Sequence, residues 1–365
     1  MKNTQEIQST PFSSNAIRLS LWELIIVAVA IAVLAIALPP IWQSLEDFSP
    51  SADYRIPYDY SEDYWLFKQY SRSVSAKDKT LVIGDSVIWG HYVDKNQTLS
   101  HYLNDMADSE QFINLGLDGS HPMALLGLIQ HYGKAIKGEK VILHMNLLWL
   151  SSEEADLQTE KEFPFNHPRL VPQFKPQIPC YVESASTRIG IVLERHSPIM
   201  QLVRHLQVMH FNNTNLPLWT VENPYSNPLS RIAIKTLGLA DKTSEDSRSR
   251  MVKGQMLQDL PWVEFETSLQ WWAFQRLLEL LENRGNGVFV IVGPLNEHML
   301  SPESIQRYRV LIKKAGSYLK EMDVPYSLLP LLAQDLYADT SHPTAQGYSL
   351  LAEHIWNHFT LLTPD

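Results

Sequence analysis

The sequence predicts an α/β domain built on a parallel sheet, carried behind one membrane-spanning helix. Three observations predict it: an uncharged apolar run near the N-terminus, five short apolar segments, and helical patterns alternating with those segments. The 365 residues, 45% hydrophobic and 19% charged, supply ample core material and exclude a disordered chain. A formal net charge of -10 argues against a general nucleic-acid binder, which needs basic surface to displace counterions. Cys180 is the single cysteine, which excludes an internal disulfide or a thiolate metal cluster carried by this chain alone.

Residues 24–42 carry no charge, and 24–38 are Leu, Ile, Val and Ala alone. About 18 helical residues span roughly 27 Å, close to the hydrocarbon thickness of a bilayer. Trp22 and Trp42 bracket the run at interface depth, and Pro39-Pro40 is expected to end it. A cleaved signal peptide is the rival, because Ala35-Ile36-Ala37 resembles a small-residue cleavage site. The polar stretch 1–23 is long for a leader, and apolar residues continue past that site, so an uncleaved anchor is expected. Lys2 and Arg18 precede the run and the next basic residue is Arg55, which places residues 1–23 in the cytoplasm and the bulk outside. In a bacterium that is a single-pass inner-membrane protein with a periplasmic or extracellular domain.

Residues 43–78 are acidic, aromatic and aperiodic, and read as a spacer packed loosely on a domain spanning 79–365. The candidate strands are 80–84, 111–115, 140–145, 287–292 and 325–329, short apolar runs of the kind buried on both faces of a sheet. Helical patterns lie at 122–136, 269–282, 301–322 and 344–360; in the second, Leu269, Trp272, Arg276, Leu277, Leu280 and Leu281 step by threes and fours. Residues 151–265 break the alternation with Pro164, Pro168, Pro172, Pro176 and Pro179, a helical pattern at Ile199, Leu202, Val203 and Leu206, and a charged stretch at 241–253. Such a length implies an insertion or lid with some helix, or padding that shields the sheet edge.

Two motifs carry chemistry. Gly84-Asp85-Ser86 follows the first strand, and ligands of open α/β sheets bind at that carboxyl edge. Alone the tripeptide is weak, because such turns often only cap a helix. The second motif is Asp339-Thr340-Ser341-His342-Pro343-Thr344, with Pro343 expected in the first turn of the last helix and His342 on the loop before it. An aspartate three residues ahead can accept the imidazole Nδ1–H, leaving Nε2 free to take a serine proton. His91, His101, His121 and His131 share no metal-ligand spacing, and surface or packing roles are expected for them. Trp89, Trp149, Trp219, Trp262, Trp271 and Trp272 are candidate sugar platforms, although tryptophans in or beside helices are more often core.

In these motifs the chain resembles the SGNH, or GDSL-type, esterase and acylhydrolase superfamily, as a membrane-anchored bacterial member. Asn114-Leu115-Gly116-Leu117-Asp118-Gly119 resembles that family's second block, while the third, His144-Met145-Asn146-Leu147, lacks its usual glycine and aspartate. The resemblance covers 79–150 and 266–362, and implies a flavodoxin-like three-layer fold. It also implies Ser86 as nucleophile, His342 as base and Asp339 as its orienting partner. The oxyanion hole would be the N–H groups of Ser86 and Gly119 with the Asn146 amide; Asn296, after the fourth strand, is a second asparagine at the same edge. Asp85, His121 and Asn296 are further candidates for the pocket. No metal or organic cofactor is implied. The implied activity is hydrolysis or transfer of O-acyl groups, acetyl above all, on cell-surface polysaccharide, with a polytopic membrane acyltransferase as a candidate partner. A lysophospholipase-like lipid esterase and a catalytically silent carbohydrate-binding module are the alternatives.

Overall fold

The computed structural model describes residues 19–51, 53–75, 78–161, 166–234 and 257–362. The chain forms two units, Met1–Glu46 and Asp47–Asp365.

The first unit is the helix α1, Leu21–Leu45, started by a capping box in which Ser20 N–H donates to Glu23 Oε2 at 2.7 Å. Its 25 residues make it long and apolar enough to cross a bilayer, as a membrane anchor or a signal sequence would be. Leu21, Trp22 and Ile36 are more than 70% exposed. The expected stop at Pro39-Pro40 is corrected: the helix runs through both prolines and ends at Leu45. Two prolines remove two N–H donors, but the bonds on either side of the break suffice to continue the helix.

In the second unit the strands are β1 (Thr80–Ile83), β2 (Phe112–Asn114), β3 (Lys140–Met145), β4 (Gly287–Val292) and β5 (Tyr326–Leu328). All pair in parallel, in the order β2-β1-β3-β4-β5, the flavodoxin-like arrangement. Between the strands run α2 (Tyr64–Val74, ahead of β1), α3 (Ser86–Trp89), α4 (Leu99–Ala107), α5 (Pro122–His131), α6 (Ala185–His196), α7 (Pro198–His210), α8 (Leu216–Glu222), α9 (Leu269–Asn283), α10 (Pro302–Glu321) and α11 (Ala345–Leu362). Side-chain alternation along the strands divides the core. Leu81, Ile83, Val141, Leu143, Val288 and Val290 face α2, α5, α9 and α10, while Val82, Ile142, Phe289 and Ile291 face α4 and α11. Apolar side chains on both faces are why β1, β3 and β4 read as largely apolar runs.

The region 43–78 is not a loose spacer. Its helix α2 puts Tyr64, Phe67, Tyr70 and Val74 into the core, and Phe67 is fully buried. Asp63 caps α2 by accepting from Leu66 N–H at 3.0 Å, and its other oxygen takes the Nδ1–H of His205 on α7 at 2.7 Å. Both side chains of that pair have no exposure, and Glu62 meets Arg204 one residue earlier at 2.8 Å. The insertion is therefore not a free lid either: α7 packs on α2, and Leu157, Leu170, Val171, Ile178, Cys180 and Tyr181 join the main core. The helical pattern at 199–206 falls within α7, and the charged stretch 241–253 lies outside the described residues. Phe67→Ala is expected to lower stability by about 3–5 kcal/mol through the cavity it leaves, read as a fall in the urea midpoint. A midpoint unchanged from wild type would show that α2 contributes little to the fold.

Candidate active site

The site sits where strand order reverses, at the carboxyl ends of β1 and β3. A Cβ on Gly84 would stand 2.4 Å from Ile88 Cγ1 and 2.8 Å from His144 Cβ, so only glycine lets the chain turn there. Asp85 then caps α3, accepting Val87 N–H at 3.0 Å, and Ser86 is its first residue. A first-turn N–H has no intrahelical acceptor, which leaves the Ser86 N–H open to another partner.

His342 arrives from the opposite end of the sequence. Its Nε2 accepts from the Ser86 hydroxyl at 2.8 Å, and its Nδ1–H donates to Asp339 at 2.8 Å and 2.9 Å from the two carboxylate oxygens. Asp339 Oδ1 also accepts the N–H groups of Ser341 and His342, both at 2.9 Å, which folds the loop into a tight Asx turn. Burial alone would lower the His342 pKa, but the Asp339 hydrogen bond and the charges of Asp339, Asp85 and Asp118 outweigh it and hold the ring above its ordinary 6.5. Burial acts against the Asp339 charge, yet His342 and the two N–H donors bring that carboxyl down to about 2. Pro343 lies before the last helix rather than in its first turn, because α11 starts at Ala345 with Thr344 Oγ1 accepting Gly347 N–H at 3.3 Å.

Of the oxyanion candidates, Ser86 and Gly119 have backbone N–H groups without an acceptor among the described residues. Gly119 holds φ at +70°, a left-handed conformation that glycine adopts without strain. Asn146, at the end of β3, donates one amide hydrogen to Asp85 Oδ2 at 2.9 Å and accepts Leu148 N–H at 3.0 Å, which leaves its second amide hydrogen.

The three further pocket candidates are tied into the scaffold. Asp85 is 2% exposed and also accepts the Trp149 indole N–H at 2.9 Å. Burial raises its pKa, but nearby His144, the Val87 N–H and Trp149 prevail and take it to about 2. His144, whose Nδ1 lies 3.2 Å from Asp85 Oδ1, donates from Nε2 to the Gly293 carbonyl at 2.6 Å. His121 caps α5 through Nδ1, its ring against Trp149 at 5.6 Å, and burial depresses its pKa to about 3. Asn296 clamps the histidine loop: its N–H donates to Thr340 at 2.8 Å and its amide to the Asp339 carbonyl at 3.1 Å.

Among the tryptophans, Trp89, Trp219, Trp262 and Trp271 are buried and belong to the packing rather than to a sugar platform. Several neighbours of the site carry no sequence signal. Arg55, in the region read as spacer, donates to the carbonyls of Trp89 at the end of α3 and of Gly90 and Val93 after it, at 2.6–3.0 Å. His91 Nδ1 lies 2.6 Å from Asp118 Oδ1, and its ring centroid is 5.2 Å from that of His342. His101 pairs with Asp53 at 2.8 Å, and His131 stacks edge-on to His196, so the four early histidines stand apart.

No protein-family model matches the chain, and no curated protein matches it. Among solved structures it is similar to a candidate lipolytic protein of the G-D-S-L family from Desulfitobacterium hafniense DCB-2, at 12% identity and a TM-score of 0.38. That alignment covers 77% of this chain and 99% of the other.

Proposed function

We propose that the protein is a serine acyl hydrolase or acyltransferase, tethered to a membrane by α1, that acts on O-acyl esters of cell-surface polysaccharide. The observation that carries the chemistry is the unbroken chain from Ser86 Oγ through His342 to Asp339, beside two unpaired N–H groups. Ser86 Oγ attacks the ester carbonyl carbon and its proton passes to His342 Nε2. The carbon–alkoxide bond breaks, and the alcohol leaves with that proton. Water or an acceptor hydroxyl then attacks the acyl-serine, giving its proton to His342, and the carbon–Oγ bond breaks as Ser86 is reprotonated. The N–H groups of Ser86 and Gly119, with the second Asn146 hydrogen, hold the negative oxygen in both tetrahedral intermediates.

The polysaccharide assignment follows the family resemblance and the apolar helix, which together suit an exported domain near the cell surface. The full chain in detergent is expected to hydrolyse short acyl esters and to be labelled by a fluorophosphonate at Ser86. Preference for long-chain over acetyl esters would point to a lipid substrate. Inertness to esters and to the fluorophosphonate together would favour a binding module.

His342 must be neutral to accept the serine proton, and its pKa is raised above 6.5. kcat/KM is therefore expected to fall as pH drops through that raised value, with the acid limb centred above 6.5. A limb centred well below 6.5 would show that Asp339 does not raise the His342 pKa in the working enzyme.

A further inference from the structure

We propose that His91, held by Asp118, binds a free hydroxyl on the alcohol half of the ester, so that the substrate is a partly acylated sugar or polyol rather than the ester of a simple alcohol. The inference rests on the serine acyl-transfer reading above and specifies what that site accepts. Its Nδ1–H donates to Asp118 Oδ1 at 2.6 Å, which leaves Nε2 as the accepting nitrogen. Nε2 has no hydrogen-bond partner among the described residues, and the side chain is 30% exposed. The ring centroid stands 5.2 Å from that of His342, so a group bound to Nε2 lies within about one sugar ring of the attacked carbonyl. An alkyl group there would strip water from Nε2 without supplying a donor; a hydroxyl supplies one.

The pair is held in place from behind. Asp118 immediately precedes Gly119, and its carbonyl accepts His167 Nε2–H at 2.7 Å. His167 is 6% exposed, and its Nδ1 accepts the Tyr64 hydroxyl at 3.1 Å, so a buried relay fixes the segment that carries the carboxylate. Tyr92, half-buried, stands edge-on to both imidazoles, at 4.5 Å from His91 and 5.3 Å from His342. A rigid acceptor nitrogen beside an aromatic ring matches the alternating hydroxyl and C–H faces of a sugar. Neither His91 nor Asp118 is needed for the proton relay, which His342 completes in both half-reactions. A purely structural role would be to hold the Gly119 loop through Asp118.

Two substitutions separate these roles. Asparagine places an amide nitrogen where histidine has Nδ1, so His91→Asn keeps a donor for Asp118 and removes Nε2; His91→Leu removes both. With the full chain, kcat/KM is measured for glycerol monoacetate, which bears free hydroxyls beside the ester, and for ethyl acetate, which bears none. The ratio of the two is expected to fall roughly tenfold in both variants. Equal losses on both esters, or an unchanged ratio in His91→Asn, would overturn the His91 assignment while leaving the nucleophile intact. Inertness of the wild type toward both esters and toward a fluorophosphonate would instead overturn the acyl-transfer reading, and this inference with it, before any variant is made.

Discussion

Ser86→Ala is expected to remove ester hydrolysis almost entirely, by about 10⁶ in kcat, and to abolish fluorophosphonate labelling. The methyl group leaves His342 Nε2 without the hydroxyl it now meets at 2.8 Å, and no other group takes over the attack. A residual rate of about 10³–10⁴ over water is compatible with this role, since the oxyanion donors and substrate binding persist. The urea midpoint is expected to stay close to wild type, because the substitution removes one oxygen at the edge of the sheet and creates no large cavity. Labelling that survives in Ser86→Ala would show the nucleophile to be another residue.

Asp339→Asn is the second large effect, expected at about 10⁴ in kcat by analogy with other serine triads. Asp339 now takes the His342 Nδ1–H and two loop N–H groups, so it selects the tautomer that leaves Nε2 bare. An amide can present an N–H to the ring instead, which favours the tautomer with its proton on Nε2. The pH profile supplies an independent sign. The carboxylate stabilises the imidazolium and so raises the His342 pKa. Its replacement lowers that pKa, and the acid limb of the residual kcat/KM moves to lower pH. An upward shift, or activity within tenfold of wild type, would reduce Asp339 to a loop-shaping residue.

The parts of the fold legible in the sequence are those written in consecutive residues. β3 and β4 coincide with their predicted runs end to end, since a strand buried on both faces is apolar along most of its length, with His144 the buried exception in β3. β1, β2 and β5 are one or two residues shorter than their runs, because strand ends are set by where the neighbouring strand stops pairing. The helix α5 ends at His131 rather than reaching 136, as Tyr132 and Gly133 N–H groups close on the Leu128 carbonyl. The helix α2 has no clean apolar stripe in the sequence, because Gln69 and Ser71 share its buried face with Tyr64, Phe67, Tyr70 and Val74.

In the candidate site, the Asp339-to-His342 spacing encodes its own hydrogen bond, since three residues of tight turn bring the carboxylate back to the ring. The same is true of Gly84-Asp85-Ser86, where a glycine turn at a strand end must present the next side chain at the sheet edge. By contrast, His91 and Asp118 are 27 residues apart, Asp85 and Asn146 are 61 apart, and Asp63 and His205 are 142 apart. Nothing in their local context names the partner.

By itself, then, the sequence determined the apolar helix, the α/β class with its parallel sheet and the two motifs, because each depends on burial pattern or turn geometry over a few neighbouring residues. Only the tertiary structure decided that α2 shares one core with Leu157, Leu170 and Tyr181, and which side chains Asp85, Asp118 and Asn146 hold. Those outcomes depend on the register of β1 against β3 and on contacts across layers. A hydrogen bond forms or fails within a few tenths of an ångström, a distance that strand register and helix packing set and that residue spacing does not.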